Sequence, residues 1–140
     1  MRSGRQEEQP DLERPVFFLD RGLGRHMVAD AIREKGYEAL PMVDVYTDGR
    51  DLRLRDPDWM RRADREGWVA ISKDNAIPRD HADTLRATTL RLFLIPNANM
   101  PGTEVVRRLM ANWDAILRRA ATDGPYAYVV MPNRLQRRWP

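Results

Sequence analysis

The chain contains no cysteine, which excludes disulfides, thiolate metal sites and a cysteine nucleophile. Lysine is almost as scarce: of 24 basic residues only Lys35 and Lys73 are lysine, and the rest are arginine. Histidine occurs twice, as the isolated His26 and His81 with no HExxH, which argues against zinc catalysis. Neither a G-x-S-x-G elbow nor a P-loop is present. No apolar run approaches the roughly 20 residues that span a bilayer. The opening segment MRSGRQEEQPDLERP lacks the apolar stretch of a secretory signal. A cytoplasmic protein with no membrane association is the expectation, with its chemistry resting on carboxylates and arginines.

What is present fits one domain with a single core, since the chain has 140 residues. The net charge is +3, and its arginine-rich make-up suits bidentate contact with phosphate. A general bias towards arginine codons accounts for it as well, because basic surface alone is a weak signal of nucleic-acid binding.

Residues 1–14 mix charges with few apolar side chains and read as a flexible tail ahead of Pro15. Val16-Phe-Phe-Leu19 is an unbroken apolar run, the pattern of a strand buried on both faces. Arg21 to Gly24 is a turn. Met27, Val28, Ala31 and Ile32 then recur at helical spacing up to a stop at Gly36. A second strand is expected within Tyr37–Val45, shortened or pushed to an edge by Pro41. Asp56 followed by Pro57 predicts a helix capped by the aspartate and ending at Gly67. Trp68–Ile71, Leu90–Ile95 and Tyr126–Met131 read as further strands. A short helix is expected near Ala82–Ala87, and one long helix over Thr103–Ala121. Strands alternating with helices predict a three-layer α/β/α fold around a mostly parallel sheet of about five strands. The expected domain is 15–133, followed by a basic tail, 134–140.

Three aspartates stand at element boundaries: Asp20 after the first strand, Asp74 after the third, and Asp56 at a helix start. Each has a plain reading as a cap or turn acid. For Asp20 that reading is weakened, because a carboxylate abutting a buried strand risks desolvation. Two strand-end carboxylates close in space repel unless a cation lies between them. With Asp56 they form an all-oxygen set suited to Mg²⁺ or Mn²⁺. Asp44, Asp58 and Asp80 are reserve acids. Lys73, Arg25 and Arg79 are candidates to face a phosphate backbone. The Gly22-x-Gly24 pair invites a dinucleotide reading, but the third position is Met27 and the strand ends in a carboxylate.

Asp20-Arg-Gly-Leu-Gly24 after the apolar run, Asp56-x-x-Trp59 on a helix, and Gly67-Trp-Val69 leading to Lys73-Asp74 and Ile77 together resemble PIN-like domains related to VapC toxins. The resemblance covers roughly residues 16–132. It implies a PIN-like fold with an acidic pocket holding Mg²⁺ or Mn²⁺, formed by Asp20, Asp56 and Asp74. It further implies RNA as substrate, a cognate antitoxin as partner, and a possible homodimer. The pattern lacks an evident fourth acid after Asp74, Asp80 being the nearest, which leaves a catalytically silent interaction module as the alternative. A receiver-like phospho-acceptor domain fits less well, because Lys73 directly precedes Asp74 rather than lying on a later strand.

Overall fold

The computed structural model describes residues 14–47 and 49–140. The expected N-terminal tail lies, apart from Arg14, outside the described residues. Five strands run parallel: β1 (Val16–Leu19), β2 (Glu38–Pro41), β3 (Val69–Ser72), β4 (Arg91–Leu94) and β5 (Tyr126–Val130). A sixth, β6 (Leu135–Trp139), is antiparallel to β5, and the sheet order is β2-β1-β3-β4-β5-β6.

Helices cover both faces. On one lie α1 (Met27–Glu34), α6 (Gly102–Ala111) and α7 (Trp113–Ala120); on the other lie α2 (Met42–Val45), α3 (Asp56–Glu66), α4 (Ile77–Asp80) and α5 (Ala82–Arg86). This explains the mainly apolar runs of β1, β3, β4 and β5. Phe17, Leu19, Val69, Ile71 and Phe93 pack with the first layer, while Phe18, Ala70, Leu92 and Leu94 pack with the second. Each such large side chain contributes about 1.5–3 kcal/mol on burial. Phe18 stacks on Trp59 at 5.4 Å and on Trp68 at 5.6 Å between ring centroids, which clamps both ends of α3 to β1.

The three-layer α/β architecture agrees with the sequence reading, with several differences in detail. The second strand is confined to Glu38–Pro41 and lies at the sheet edge, and residues 42–45 turn helical, so Asp44 is on α2. Pro41 lacks the donor that a continuing ladder needs. Asp56 is the first residue of α3, and Arg55 takes the capping position. Asp58 accepts from the Arg55 N–H at 3.3 Å. The long helix breaks at Asn112, whose Nδ2 donates to the carbonyls of Arg108 at 2.9 Å and Met131 at 2.8 Å. That polar anchor turns the chain while the apolar periodicity continues across the break.

The largest difference is at the C-terminus. Residues 135–139 are not a tail but the edge strand β6. Arg137 pairs with Tyr128 and Trp139 with Ala127, leaving Arg138 as the extra residue of a bulge. Edge strands are read poorly from sequence because only one side is paired and their side chains face water. A chain ending at Asn133 is therefore expected to lose about 2–4 kcal/mol of stability in urea unfolding, since Leu135 and Trp139 leave the core margins and β5 loses its partner. A dispensable tail would leave the unfolding midpoint unmoved.

Candidate metal-binding pocket

The site is built on the pairing of β1 with β3. Leu19 is in register with Ile71, and the Asp20 N–H donates to the Ile71 carbonyl at 3.0 Å. Asp20 and Asp74 are thus brought together at the carboxyl ends of adjacent parallel strands, where open α/β sheets bind ligands. Asp20, Arg21, Asp56, Lys73, Asp74 and Asn75 line one groove of about 570 Å³ there.

Each acid is held by specific donors. Asp20 accepts from the Ser72 hydroxyl at 2.6 Å through Oδ2 and from the Arg21 N–H at 2.6 Å through Oδ1. The same Ser72 Oγ accepts from the Asp74 N–H at 3.0 Å, so one buried hydroxyl ties both strand-end acids. Asp74 Oδ1 accepts from the Ala76 N–H at 3.0 Å. Asp56 Oδ1 accepts from Trp59 Nε1 at 2.9 Å, one helical turn on, and its Oδ2 stands 3.8 Å from His81 Nε2. The 73–76 loop is braced further: Asn75 Nδ2 donates to the Lys73 carbonyl at 3.2 Å and to the Ile95 carbonyl at 2.7 Å. Arg138, aimed by its bulge, donates to the Asn75 carbonyl at 3.0 Å.

The electrostatics are those of crowded acids. Burial raises the Asp20 pKa, and the Asp74 charge adds to it, against the lowering effect of Ser72 and the Arg21 N–H. Asp56 is pushed up to about 7, first by burial, then by its hydrogen bond to Asp74 and by the charges of Asp20 and Asp74. The carboxylates line the groove without closing on one point: among the described residues no three His, Asp or Glu side chains stand at ligand spacing. The donor set nevertheless fits a hard divalent cation, being all oxygen and setting three carboxylates against the two cationic side chains of Arg21 and Lys73 in the groove.

The remaining sequence candidates lie elsewhere. Asp44 pairs with Arg25 at 3.0 Å, and Asp80 with Arg79 at 2.9 Å, both on exposed surface, while Asp58 serves the start of α3. None of these five lines the groove. Lys73 does, with its Nζ donating to the Met100 carbonyl at 2.9 Å. Sequence reasoning missed Ser72, Asn75 and Arg21 as groove residues and His81 as a neighbour of Asp56. A serine two positions before a strand-end aspartate was a readable signal for Ser72. Nothing local marked His81, because the fold alone carries it to Asp56.

The Asp56 shift makes stability depend on pH. The folded state holds this proton up to about pH 7, whereas the unfolded chain releases it near pH 4. The folded state therefore binds more protons between those values, and stability falls as pH rises through that window. Asp56→Asn in ion-free protein is expected to raise the melting temperature at pH 8 by roughly 3–6 °C, the shift that about 1 kcal/mol gives in a domain of this size. At pH 4 the two proteins are expected to melt together; equal melting at both pH values would refute the crowding.

Comparison with known proteins agrees with this geometry. Residues 15–97, which contain all three acids, match the family described as "PIN like domain". Over 123 residues the chain is 31% identical to a curated protein of Mycobacterium tuberculosis (strain ATCC 25618 / H37Rv) named "Putative ribonuclease VapC45", covering 86% of this chain and 89% of the relative. No solved structure matches. A strand order that brings Asp20 beside Asp74, together with a family match across that whole region, assigns the chain: it belongs to the PIN-like domain family.

Proposed function

We propose that this protein is a Mg²⁺- or Mn²⁺-dependent endoribonuclease of the PIN-like type, the toxin of a toxin–antitoxin pair. The observation that carries the reading is the convergence of Asp20, Asp56 and Asp74 on one groove, where burial and mutual repulsion outweigh the donors that hold Asp20 and Asp56. The relative named a ribonuclease VapC45 supports RNA as the substrate and an antitoxin as the partner. No helix among the described residues is long and apolar enough to cross a membrane, which is compatible with action in the cytoplasm. A homodimer belongs to the same proposal by family resemblance.

In this reading Asp20, Asp56 and Asp74 hold the cation. When bound, the cation supplies charge neutralisation and Lewis-acid polarisation of a phosphodiester. The protein's part is to aim the acids. Ser72 and the Arg21 N–H fix both oxygens of Asp20, Trp59 fixes Asp56, and the Ala76 N–H fixes Asp74. Lys73 at the groove, with Arg25 and Arg79 on the surface, steadies the RNA backbone. The ion pairs of Arg25 with Asp44 and of Arg79 with Asp80 are exposed, so exchanging them for phosphate costs only about 0.2–1 kcal/mol each.

Asp20→Asn is expected to reduce Mn²⁺-dependent cleavage of a mixed RNA pool by at least roughly 100-fold. Its melting temperature without divalent ions should be unchanged or higher, because a like charge is removed. Undiminished cleavage by this variant would sink the assignment. Ser72→Ala removes the hydroxyl that orients Asp20, and calorimetric titration with Mn²⁺ should show about 10–100-fold weaker binding.

A further inference from the structure

We infer that the cleft between α7 and β6 is a phosphate-binding track for the RNA strand that flanks the cleaved bond. The inference rests on the nuclease reading above and extends it beyond the acidic groove. The cleft has a volume of about 830 Å³, and its walls carry Lys35, Arg118, Arg119 and Arg134 against a single carboxylate, Asp114. All four cations are exposed, and among the described residues none forms an ion pair. Some exposed arginines elsewhere are neutralised locally, as Arg86 is by Asp83 and Arg107 by Glu104, but among the described residues no other cavity wall gathers four cations against one carboxylate. Uncompensated positive charge is thus gathered in a concave surface, the arrangement that attracts a polyanion.

One of these cations is also positioned. The Arg119 guanidinium lies 4.9 Å from the centroid of the Tyr128 ring, which restricts it to the cleft wall. Arginine forks suit phosphate oxygens. Tyr128 and Trp113, the aromatic residues of the lining, are buried in the core and offer bases no stacking platform. The recognition is therefore of the backbone and not of sequence.

The topology connects this cleft to the acids. β5 is parallel to β1 and β3, so the turn from β5 to β6, which carries Arg134, lies at the same sheet end as Asp20 and Asp74. Only β4 separates β3 from β5, and two strand spacings are about 10 Å. A strand of RNA crossing the acidic groove can reach the mouth of the cleft within a few nucleotides. An acidic peptide is the rival occupant; RNA is favoured because the Arg134 rim of the cleft is at the end where the substrate already has to lie, with Arg118, Arg119 and Lys35 continuing the track towards the amino ends of the strands.

The test is binding of a 12-nucleotide single-stranded RNA to the full chain in EDTA across a salt series, for wild type, Arg118→Ala/Arg134→Ala and Arg118→Lys/Arg134→Lys. The alanine pair is expected to bind roughly 10-fold more weakly, with the log–log salt slope reduced by about 1.4, or 0.7 per lost phosphate contact. The lysine pair should recover most of the affinity. With Mn²⁺, hydrolysis of the small substrate bis(p-nitrophenyl) phosphate by the alanine pair should equal wild type, while KM for the RNA rises. Wild-type affinity and slope in the alanine pair would overturn the inference. Displacement of the RNA by polyglutamate at equal charge concentration would overturn it in favour of an acidic protein partner. If wild type hydrolyses neither substrate, the nuclease reading fails, and the binding series still decides the cleft.

Discussion

The parallel register of β1 against β3 is the constraint on which the rest of the site depends. It places Leu19 beside Ile71 and closes with the Asp20 N–H on the Ile71 carbonyl, so the two chains leave the sheet side by side. Two carboxylates are then forced together at the point where β2 lies to one side of β1 and β3 to the other. That is the crevice where an open α/β sheet presents strand ends and free backbone donors to a ligand. Asp56 arrives from a different direction, carried by α3. Its position is no less determined, because the rings of Trp59 and Trp68 hold that helix against Phe18 of β1.

The stabilising and destabilising parts of the structure are therefore segregated. The core on both sides of the sheet is apolar and closely packed, while the groove accumulates like charge and partial desolvation. The hydrogen bonds within the groove soften this without removing it. Ser72 lowers the cost of an ionised Asp20, and its oxygen accepts from the Asp74 N–H, so one buried group serves both acids. Burial still prevails for Asp20 and Asp56, both of which are raised. A groove in which donors fix acid geometry but leave the charge in excess suits the cation proposed for it.

Much of this was legible in the sequence, for physical reasons that also mark its limits. β1, β3 and β5 were readable because both faces are buried and their apolar runs are unbroken, and β4 because only the buried Arg91 interrupts its run. β6 was not, since Leu135-Gln-Arg-Arg-Trp139 lies at an edge with three of its five residues exposed. The helical periodicity of Thr103–Ala121 is continuous, so the break at Asn112 depends on a carbonyl of β5's far end, Met131, that no local pattern reveals. Asp20 and Asp74 were visible as acids ending apolar runs. His81 and Arg138 were not, because their approach to Asp56 and Asn75 is made by tertiary folding alone.

The edge strand that escaped the sequence reading also alters how charge is distributed over the molecule. Read as a tail, residues 134–140 would have been a diffuse basic patch. Folded as β6, they place Arg134 at the carboxyl end of the sheet, Arg137 near the Tyr128 ring, and Arg138 on the carbonyl of Asn75. The first two lie along the cleft side of β5 and the third braces the loop that bears Asp74. A single short strand thus joins the basic surface to the acidic groove. The acidic groove and the Arg134 rim of the basic cleft then share one end of the sheet. Under the proposed function they would take two different ligands, a cation for the first and a polyanion for the second. A metal-dependent nuclease is a protein that requires both at once.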